Sequence, residues 1–368
     1  MNEKDTGITT NGFLLLSRYR GAIMGMAAIM IFVFHAWIST IPNAPEGAVS
    51  FLHDTEVFIR RVSYFGVDIF MLMSGMGLTY AIKKDKLPRF YYRRIRRIYL
   101  PYLAAVITST FINKWTFMTF LGHATGYTFY MEHANAYCWF VPAIITFYIF
   151  FPLYYKFFSK AKNKFVFTTV AVFAWLLLSI LLSGTLRIDL YSFTNRIPVF
   201  IIGIYFGELA QRKDGIVFKG WHYLLLLVTM VIGLFLYYVY VFLKFEFLLP
   251  EGKLFIPNVL MSVSLSLLVA KLLDVLERRV TKLGKLVNNV LGFYGKFSLE
   301  LYLVYVCLLV PFFGKFVMWL AKFKLTALPV NLIVFILSSA IAWLASLAFN
   351  YFWKLVELPF KKKVSEAK

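Results

Sequence analysis

Apolar residues occur along the chain in ten long segments, which short polar and mostly basic stretches separate. Each segment is near the length of about 20 residues that a helix needs to cross a bilayer. A membrane β-barrel would instead show alternating segments of about ten residues, and the sequence does not have them. We therefore predict an all-α polytopic membrane protein with about ten transmembrane helices. The segments cover residues 20–41, 62–82, 98–120, 138–157, 165–183, 195–210, 221–243, 256–276, 292–314 and 329–353.

Composition and charge agree with this prediction, and the charge distribution also predicts the orientation of the chain in the membrane. Apolar residues make up 60% of the 368 residues and charged residues 15%, against roughly 45–50% and 25% in soluble domains. With the N-terminus inside, 28 of the 39 Lys and Arg residues are cytoplasmic and ten lie outside, while Lys296 is unassigned. Because Lys and Arg accumulate in cytoplasmic loops, both termini are predicted to be cytoplasmic. The net charge of +21 then indicates topology and contact with anionic lipid, and no nucleic-acid partner is expected.

No stretch between the segments approaches the size of a soluble domain. We predict a cytoplasmic tail at 1–19, one membrane domain at 20–357 and a basic cytoplasmic tail at 358–368. The first nineteen residues are polar and mixed in charge, which is not the pattern of a cleavable signal peptide. We expect a multi-pass protein of the cell membrane. The chain has two cysteines, which make neither a disulfide framework nor a metal motif.

His35 is the first candidate for chemistry. It follows the uncharged run 21–34, and helix rise puts it about 22 Å beyond Arg20. An ionisable side chain within a membrane helix is costly, and it therefore indicates function by default. His titrates near neutral pH, so His35 is a candidate general base. The alternative is a structural hydrogen bond between helices. No two histidines have the spacing of metal ligands, and we expect no metal.

Two carboxylates lie within apolar segments. Asp68 begins an apolar helix at a depth similar to that of His35, and it could orient the imidazole or pair with Arg60 or Arg61. Glu300 lies within the ninth segment. A salt bridge to Lys296, four residues earlier on the same helix face, is the structural alternative for Glu300.

Four arginines occur within five positions ahead of the third segment. They are Arg93, Arg94, Arg96 and Arg97. Such a run is often only an orientation signal, but four arginines exceed what orientation requires. Guanidinium groups bind phosphate in a bidentate manner, so the cluster is predicted to bind a nucleotide or pyrophosphate at the membrane surface.

Taken in order, these segments resemble acyltransferase family 3, and in particular its O-acetyltransferase-like members. The resemblance rests on six pieces that cover nearly the whole chain. They are VFHAW at the end of the first segment, GVDIFMLMSGMGL, FYYRRIRRIYLPYL, YCWFVPAIITFYIFFPL, RIPVFIIGIYFG and FSLELYLVYV.

The resemblance implies an integral-membrane enzyme that moves an acyl group, commonly acetyl, from cytoplasmic acyl-CoA to a hydroxyl of a glycan or lipid-linked sugar. His35 would be the catalytic histidine, with Asp68 or Glu300 fixing its tautomer. The cluster 93–97, with Arg20, would bind the donor. We expect Trp139 and Tyr305 to contact the acceptor.

Two positions depart from the family pattern. Many members have an arginine eleven residues before the histidine, where this chain has Met24, and its nearest upstream arginine is Arg20. Relatives often have a histidine where this chain has Tyr305. The main alternative function is a transporter or flippase of a lipid-linked sugar, which predicts inverted repeats with matched broken helices. A receptor or assembly factor without activity is a third reading.

Overall fold

The computed structural model describes residues 11–35, 46–131, 138–181, 190–212, 215–244, 254–309 and 327–366. The structure is 90% helical, and the described residues contain no strand. The prediction of an all-α fold is therefore confirmed. Most of the N-terminal tail and the ends of the predicted segments 20–41, 165–183 and 292–314 lie outside the described residues.

We number the helices in chain order. They are α1 (Gly12–Arg18), α2 (Arg20–His35), α3 (Glu46–Val62), α4 (Gly66–Lys84), α5 (Leu87–Arg94), α6 (Leu100–Asn113), α7 (Phe117–Thr125), α8 (Tyr127–Met131), α9 (Phe140–Lys160), α10 (Lys164–Ile180), α11 (Tyr191–Thr194), α12 (Ile197–Ala210), α13 (Gly220–Val241), α14 (Phe255–Arg279), α15 (Thr281–Lys296), α16 (Ser298–Tyr302) and α17 (Ala327–Glu366).

The number of membrane spans differs from the prediction. Within the described residues, five helices are long and apolar enough to cross a membrane, or six if the bent pair α1 and α2 counts as one. The count of about ten is therefore not confirmed. The sixth segment forms only the 14 residues of α12, and the ninth is broken between α15 and α16 at Phe297. The five helices are Asp54–Lys84, Phe140–Lys160, Gly220–Val241, Phe255–Arg279 and Pro329–Glu357.

Part of the predicted N-terminal tail is packed against the helical core. The axis of α1 makes an angle of 71° with that of α2. Asn11 caps α1 by accepting from the N–H of Phe13 and donates to the carbonyl of Leu209 over 2.9 Å. The Phe13 ring lies 4.7 Å from that of Phe206 on α12. This short apolar helix therefore joins the start of α2 to the end of α12.

Close contacts through glycine hold α2 and α4 within the bundle. A Cβ atom on Gly25 of α2 would lie 1.8 Å from the carbonyl oxygen of Leu291 on α15. A Cβ atom on Gly75 of α4 would lie 2.3 Å from the carbonyl oxygen of Phe200 on α12. Small residues let helix backbones approach closely in membranes, so these glycines set the distances from α2 to α15 and from α4 to α12.

Two π-helical stretches interrupt the regular helices. One covers Ile95–Tyr99, between α5 and α6, and the other covers Leu303–Leu309, after α16. A π turn widens the helix and changes which side chains share a face, and such turns are frequent at functional sites. The first contains Arg96 and Arg97 of the arginine cluster, and the second contains Tyr305.

The Gly25 contact predicts that alanine destabilises the protein at Gly25 but not at Gly292 on the facing helix. Gly25→Ala should lower the free energy of unfolding by about 1–3 kcal/mol, because the methyl group meets backbone that cannot move aside. Gly292→Ala on the facing helix is the matched control, because nothing lies within 4 Å of a Cβ atom there. Thermal unfolding of both variants in detergent measures the difference. Equal melting temperatures would contradict the contact.

Candidate functional site

A cavity of about 480 Å³, which we call the inner cavity, lies between α2, α4, α9 and the junction of α15 with α16. Along α2 its wall extends from Arg20 through Met24 to Ile31, about 16 Å of helix. Arg97 and Lys296 add two further cations to this wall. The full lining is Arg20, Met24, Ile31, Phe70, Ser74, Arg97, Ile98, Phe140, Ile144, Tyr148, Gly295, Lys296, Ser298, Leu299 and Tyr302.

A second cavity of about 620 Å³, which we call the vestibule, surrounds the start of α2. It shares Arg20, Met24, Gly295 and Lys296 with the inner cavity, so the two meet at these residues. Its wall is richer in polar groups. The remaining lining residues are Ser17, Arg18, Gly21, Ala22, Met76, Gly77, Tyr80, Asn288, Asn289, Gly292 and Phe293.

His35 is the last residue of α2 and lies one turn beyond the Ile31 wall of the inner cavity. Its Nδ1 atom is 2.8 Å from the carbonyl oxygen of Ile31. A carbonyl can only accept, so Nδ1 carries the proton in this hydrogen bond. In the neutral ring the lone pair is then on Nε2. That tautomer is the one in which Nε2 can accept a proton.

Tyr305 contacts the backbone of His35. Its hydroxyl donates to the His35 carbonyl oxygen over 3.0 Å, and its ring lies 4.2 Å from that of Phe32. The last carbonyls of a helix lack partners within the helix, and the tyrosine supplies one. Tyr305 is 1% exposed. In this arrangement the Tyr305 side chain holds the end of α2, and the predicted contact with an acceptor stays a prediction.

Asp68 pairs with Arg196, which precedes α12, and not with Arg60 or Arg61. The Arg196 Nε and Asp68 Oδ1 atoms are 3.7 Å apart, with the two side chains 1% and 0% exposed. The Arg196 guanidinium lies 4.8 Å from the Tyr64 ring and 4.9 Å from the Trp139 ring. Trp139, predicted to contact the acceptor, thus packs on this cation.

Aromatic rings separate this buried ion pair from the imidazole. The Phe34 ring lies 5.0 Å from the His35 ring and 5.6 Å from that of Tyr64, which in turn contacts Arg196. The described residues show no hydrogen bond from Asp68 or Glu300 to His35. The tautomer is fixed by the Ile31 carbonyl instead, and catalytic roles for the two carboxylates stay predictions.

Glu300 pairs with Arg97 and not with Lys296. Its Oε1 accepts from Nη1 of Arg97 over 2.8 Å, while Nη2 of Arg97 donates to the Lys296 carbonyl over 2.6 Å. The carboxylate is buried and the arginine is half-exposed. Glu300 therefore fixes Arg97 on the wall of the inner cavity.

The structure divides the other three members of the arginine cluster. Arg93 pairs with Asp85 over 2.9 Å, and Arg96 pairs with Glu357. Arg93, Arg96 and Arg97 share a separate cleft of about 230 Å³. The Arg94 guanidinium lies 4.2 Å from the Phe90 ring. The π-helical stretch Ile95–Tyr99 contains Arg96 and Arg97, and Arg97 also lines the inner cavity.

Three residues of this region have positions that the sequence did not predict. Arg196 is one of the ten Lys and Arg residues predicted to lie outside, and it is buried. Lys296 fitted neither side of the membrane, and it lies where the two cavities meet. Tyr148 lines the inner cavity within electrostatic range of Arg20, Arg94 and Arg97. The sequence pointed to Lys296, because this residue did not fit the charge bias. It did not single out Tyr148, which is one of 23 tyrosines.

Comparisons with known proteins add one match. A family model described as an acyltransferase domain, that of acyltransferase family 3, matches residues 23–347, nearly the whole chain. Comparisons with curated proteins and with solved structures found no match. Within the part of the chain that the structure describes, no three His, Cys, Asp or Glu side chains form a group that could hold a metal ion.

The Asp68–Arg196 pair predicts a large loss of stability when one partner is removed. Asp68→Asn should lower the free energy of unfolding by about 3–5 kcal/mol, because the arginine is left as an uncompensated buried charge. The double variant Asp68→Leu, Arg196→Met should lose less, since both charges leave together. Glu208→Gln is the control, because its partners Lys83 and Lys164 are both partly exposed and exposed pairs contribute about 0–1 kcal/mol each. Chemical denaturation in detergent distinguishes the variants, and a loss for Asp68→Asn no larger than for Glu208→Gln would contradict the assignment.

Proposed function

The chain belongs to acyltransferase family 3, and on that premise we propose that it is an integral-membrane O-acyltransferase. The donor is cytoplasmic acyl-CoA, most simply acetyl-CoA. The acceptor is a hydroxyl of a cell-surface glycan or lipid-linked sugar. The observation that carries the proposal is the imidazole of His35, held with Nε2 available, one turn beyond a cavity that begins among cations.

His35 acts as the general base in this proposal. Nε2 takes the proton of the acceptor hydroxyl as its oxygen attacks the thioester carbonyl carbon. The new C–O bond forms, the C–S bond breaks, and the thiolate of CoA takes the proton from the imidazolium. In a second route, a nucleophilic side chain first takes the acyl group and then passes it to the acceptor.

The donor approaches from the end of α2 where Arg20 lies, and the acceptor approaches from the end where His35 lies. The Arg93–Arg97 cluster is proposed to serve the donor at the rim, and Trp139 and Tyr305 to serve the acceptor. Asp68 and Glu300 contribute to this site indirectly, because their ion pairs hold Arg196 and Arg97 in position. Binding energy from the remote parts of both substrates orients the reacting groups.

The proposed orientation puts both termini in the cytoplasm and the site in the cell membrane. The distribution of Lys and Arg supports it. A second observation is independent of charge: Cys138, just before α9, is disulfide-bonded. Disulfides persist in oxidising compartments, which supports an orientation with the Cys138 end of α9 outside and its Lys160 end inside. The domain plan stays as predicted, with tails 1–19 and 358–368 around the membrane domain 20–357.

Replacement of His35 tests the base. His35→Ala should lower the rate of acyl transfer by roughly a hundred- to ten-thousandfold, because proton removal in the transition state is lost. Purified protein, acyl-CoA with a labelled acyl group and a glycan acceptor provide the assay. His222→Ala is the control, since His222 stacks on Trp221 at the start of α13, away from both cavities. Full transfer by His35→Ala would refute the role.

The hydroxyl of Tyr305 should matter for turnover more than for binding. Tyr305→Phe keeps the ring against Phe32 but leaves the His35 carbonyl without its donor, so kcat should fall roughly two- to tenfold with the donor KM unchanged. Tyr237→Phe removes a similar bond, from Tyr237 to the Arg61 carbonyl, and serves as the matched control. Steady-state kinetics with varied acyl-CoA give both constants. An unchanged kcat would show that the hydroxyl does not position His35.

A further inference from the structure

A cleft of about 410 Å³, which we call the lateral cleft, lies between α10, α12, α13 and α14. It shares no lining residue with the vestibule or the inner cavity. Because α10 packs on α12 and α13 packs on α14, the cleft lies where these two pairs of helices meet. Its lining residues are Phe165, Thr168, Thr169, Val172, Phe173, Ile202, Tyr205, Phe206, Leu225, Leu226, Thr229, Val259, Leu260, Val263 and Ser264.

The wall of the lateral cleft is suited to a hydrocarbon chain. Eleven of its fifteen residues are aliphatic or aromatic, and the other four carry hydroxyl groups that are already bonded. The Thr168 hydroxyl donates to the carbonyl four residues earlier over 2.7 Å, and the Thr169 hydroxyl does the same over 3.1 Å. The hydroxyls of Thr229 and Ser264 bond to each other over 2.7 Å. These four groups therefore do not need a polar ligand.

The lateral cleft opens on the side of the helix bundle. Phe165 and Phe173 of α10 and Leu225 of α13 are exposed and form its rim, whereas Phe206 of α12 and Ser264 of α14 are buried and form its floor. In a membrane domain such an opening faces lipid, so a lipid chain reaches the cleft without crossing the protein. A chain in the cleft also gains the dispersion contacts that an unfilled apolar space would lose.

One end of the lateral cleft is surrounded by cations. Lys164 at the start of α10 lies 3.9 Å from Glu208 near the end of α12, so these two helix ends are neighbours. Lys162 lies two residues before α10, Arg212 two residues after α12, and Lys219 directly before α13. All three are exposed, and no carboxylate in the described part of the chain forms an ion pair with them. This end of the cleft is therefore complementary in charge to an anionic headgroup.

A phospholipid has both of these properties, a hydrocarbon chain and a charged headgroup. The exposed Trp221 lies one turn before Leu225 on α13, and tryptophan is typical of the depth at which headgroups lie. We propose that the lateral cleft binds an acyl chain of an anionic phospholipid, with its phosphate beside Lys162, Arg212 and Lys219. Only the choice of leaflet rests on the proposed function, because the orientation proposed there puts these cations in the cytoplasm and the lipid in the cytoplasmic leaflet.

The bound chain would contact α12 on a side that α4 leaves open. A Cβ atom on Gly203 of α12 would lie 2.2 Å from the carbonyl oxygen of Leu72 on α4. Ile202 and Tyr205 lie on another side of α12 and line the cleft. A lipid in the cleft therefore adds contacts to a helix that α4 already holds, and it should stabilise the folded protein by mass action.

Filling the lateral cleft tests where the chain binds. The whole protein in detergent is titrated with phosphatidylglycerol or with phosphatidylcholine, and bound lipid is counted by native mass spectrometry. Wild-type protein should retain phosphatidylglycerol more strongly. Val172→Trp should weaken that binding roughly tenfold or more, because the indole takes the space of the chain. Val170→Trp is the matched control, since Val170 is an exposed residue of the same helix that does not line the cleft, and it should bind as the wild type does.

Removal of the cations tests the headgroup. Lys162→Gln combined with Lys219→Gln should weaken binding of phosphatidylglycerol roughly ten- to thirtyfold, about fivefold for each cation near an anionic headgroup. Binding of phosphatidylcholine should not change. Lys282→Gln combined with Lys285→Gln on α15 removes two exposed charges away from the cleft and should leave the preference for phosphatidylglycerol intact. These variants change only exposed side chains, so they decide the question even if Val172→Trp does not fold.

Three results would overturn the proposal. The first is equal retention of the two phospholipids by the wild type, and the second is equal loss of phosphatidylglycerol in Val172→Trp and Val170→Trp. The third is displacement of phosphatidylglycerol by a much lower concentration of a polyprenyl phosphate, because the cleft would then hold the chain of a lipid-linked sugar. Lipid binding is measured without acyl transfer, so a protein that binds phosphatidylglycerol as expected but transfers no acyl group would contradict the proposed function and leave this proposal supported.

Discussion

The cost of an unpartnered charge in the membrane governs the interior of this protein. Asp68 and Glu300 are both buried, and each has an arginine partner, Arg196 and Arg97. These pairs connect distant parts of the chain, since each arginine belongs to a different segment from its carboxylate. The ion pairs are therefore constraints on helix position as much as local contacts. Arg97, although it is paired, lies beside the open space of the inner cavity.

Close packing of helices supplies that open space. Gly25 brings α2 against α15 and Gly75 brings α4 against α12, so the backbones approach at some points. Both cavities lie along α2 between such contacts. The two cavities together thus extend from polar groups to a point one turn before His35. Their position depends on where glycine lets the helices approach each other.

The orientation of the His35 side chain and backbone depends on the end of helix α2. His35 is the last residue of α2, so its own carbonyl lacks a partner within that helix. Tyr305, in a π-helical stretch, donates to this carbonyl, and Ile31 fixes the ring through Nδ1. Neither contact needs a carboxylate. In this arrangement the backbone orients the imidazole, as a buried acid does in the Ser-His-Asp triad.

The sequence alone determined that the chain is a helical membrane protein and what family it belongs to, and it made His35 and the arginines candidates for the site. Apolar segments and ordered motifs are local properties, so they can be read directly. The number of spans, the partners of Asp68 and Glu300 and the division of the arginine cluster were decided by tertiary structure. A π turn changes which faces side chains share, and an ion pair depends on the helix that lies opposite. The position of Lys296 between the two cavities was decided only when α2 and α15 were in place, because a cavity is a property of several helices together.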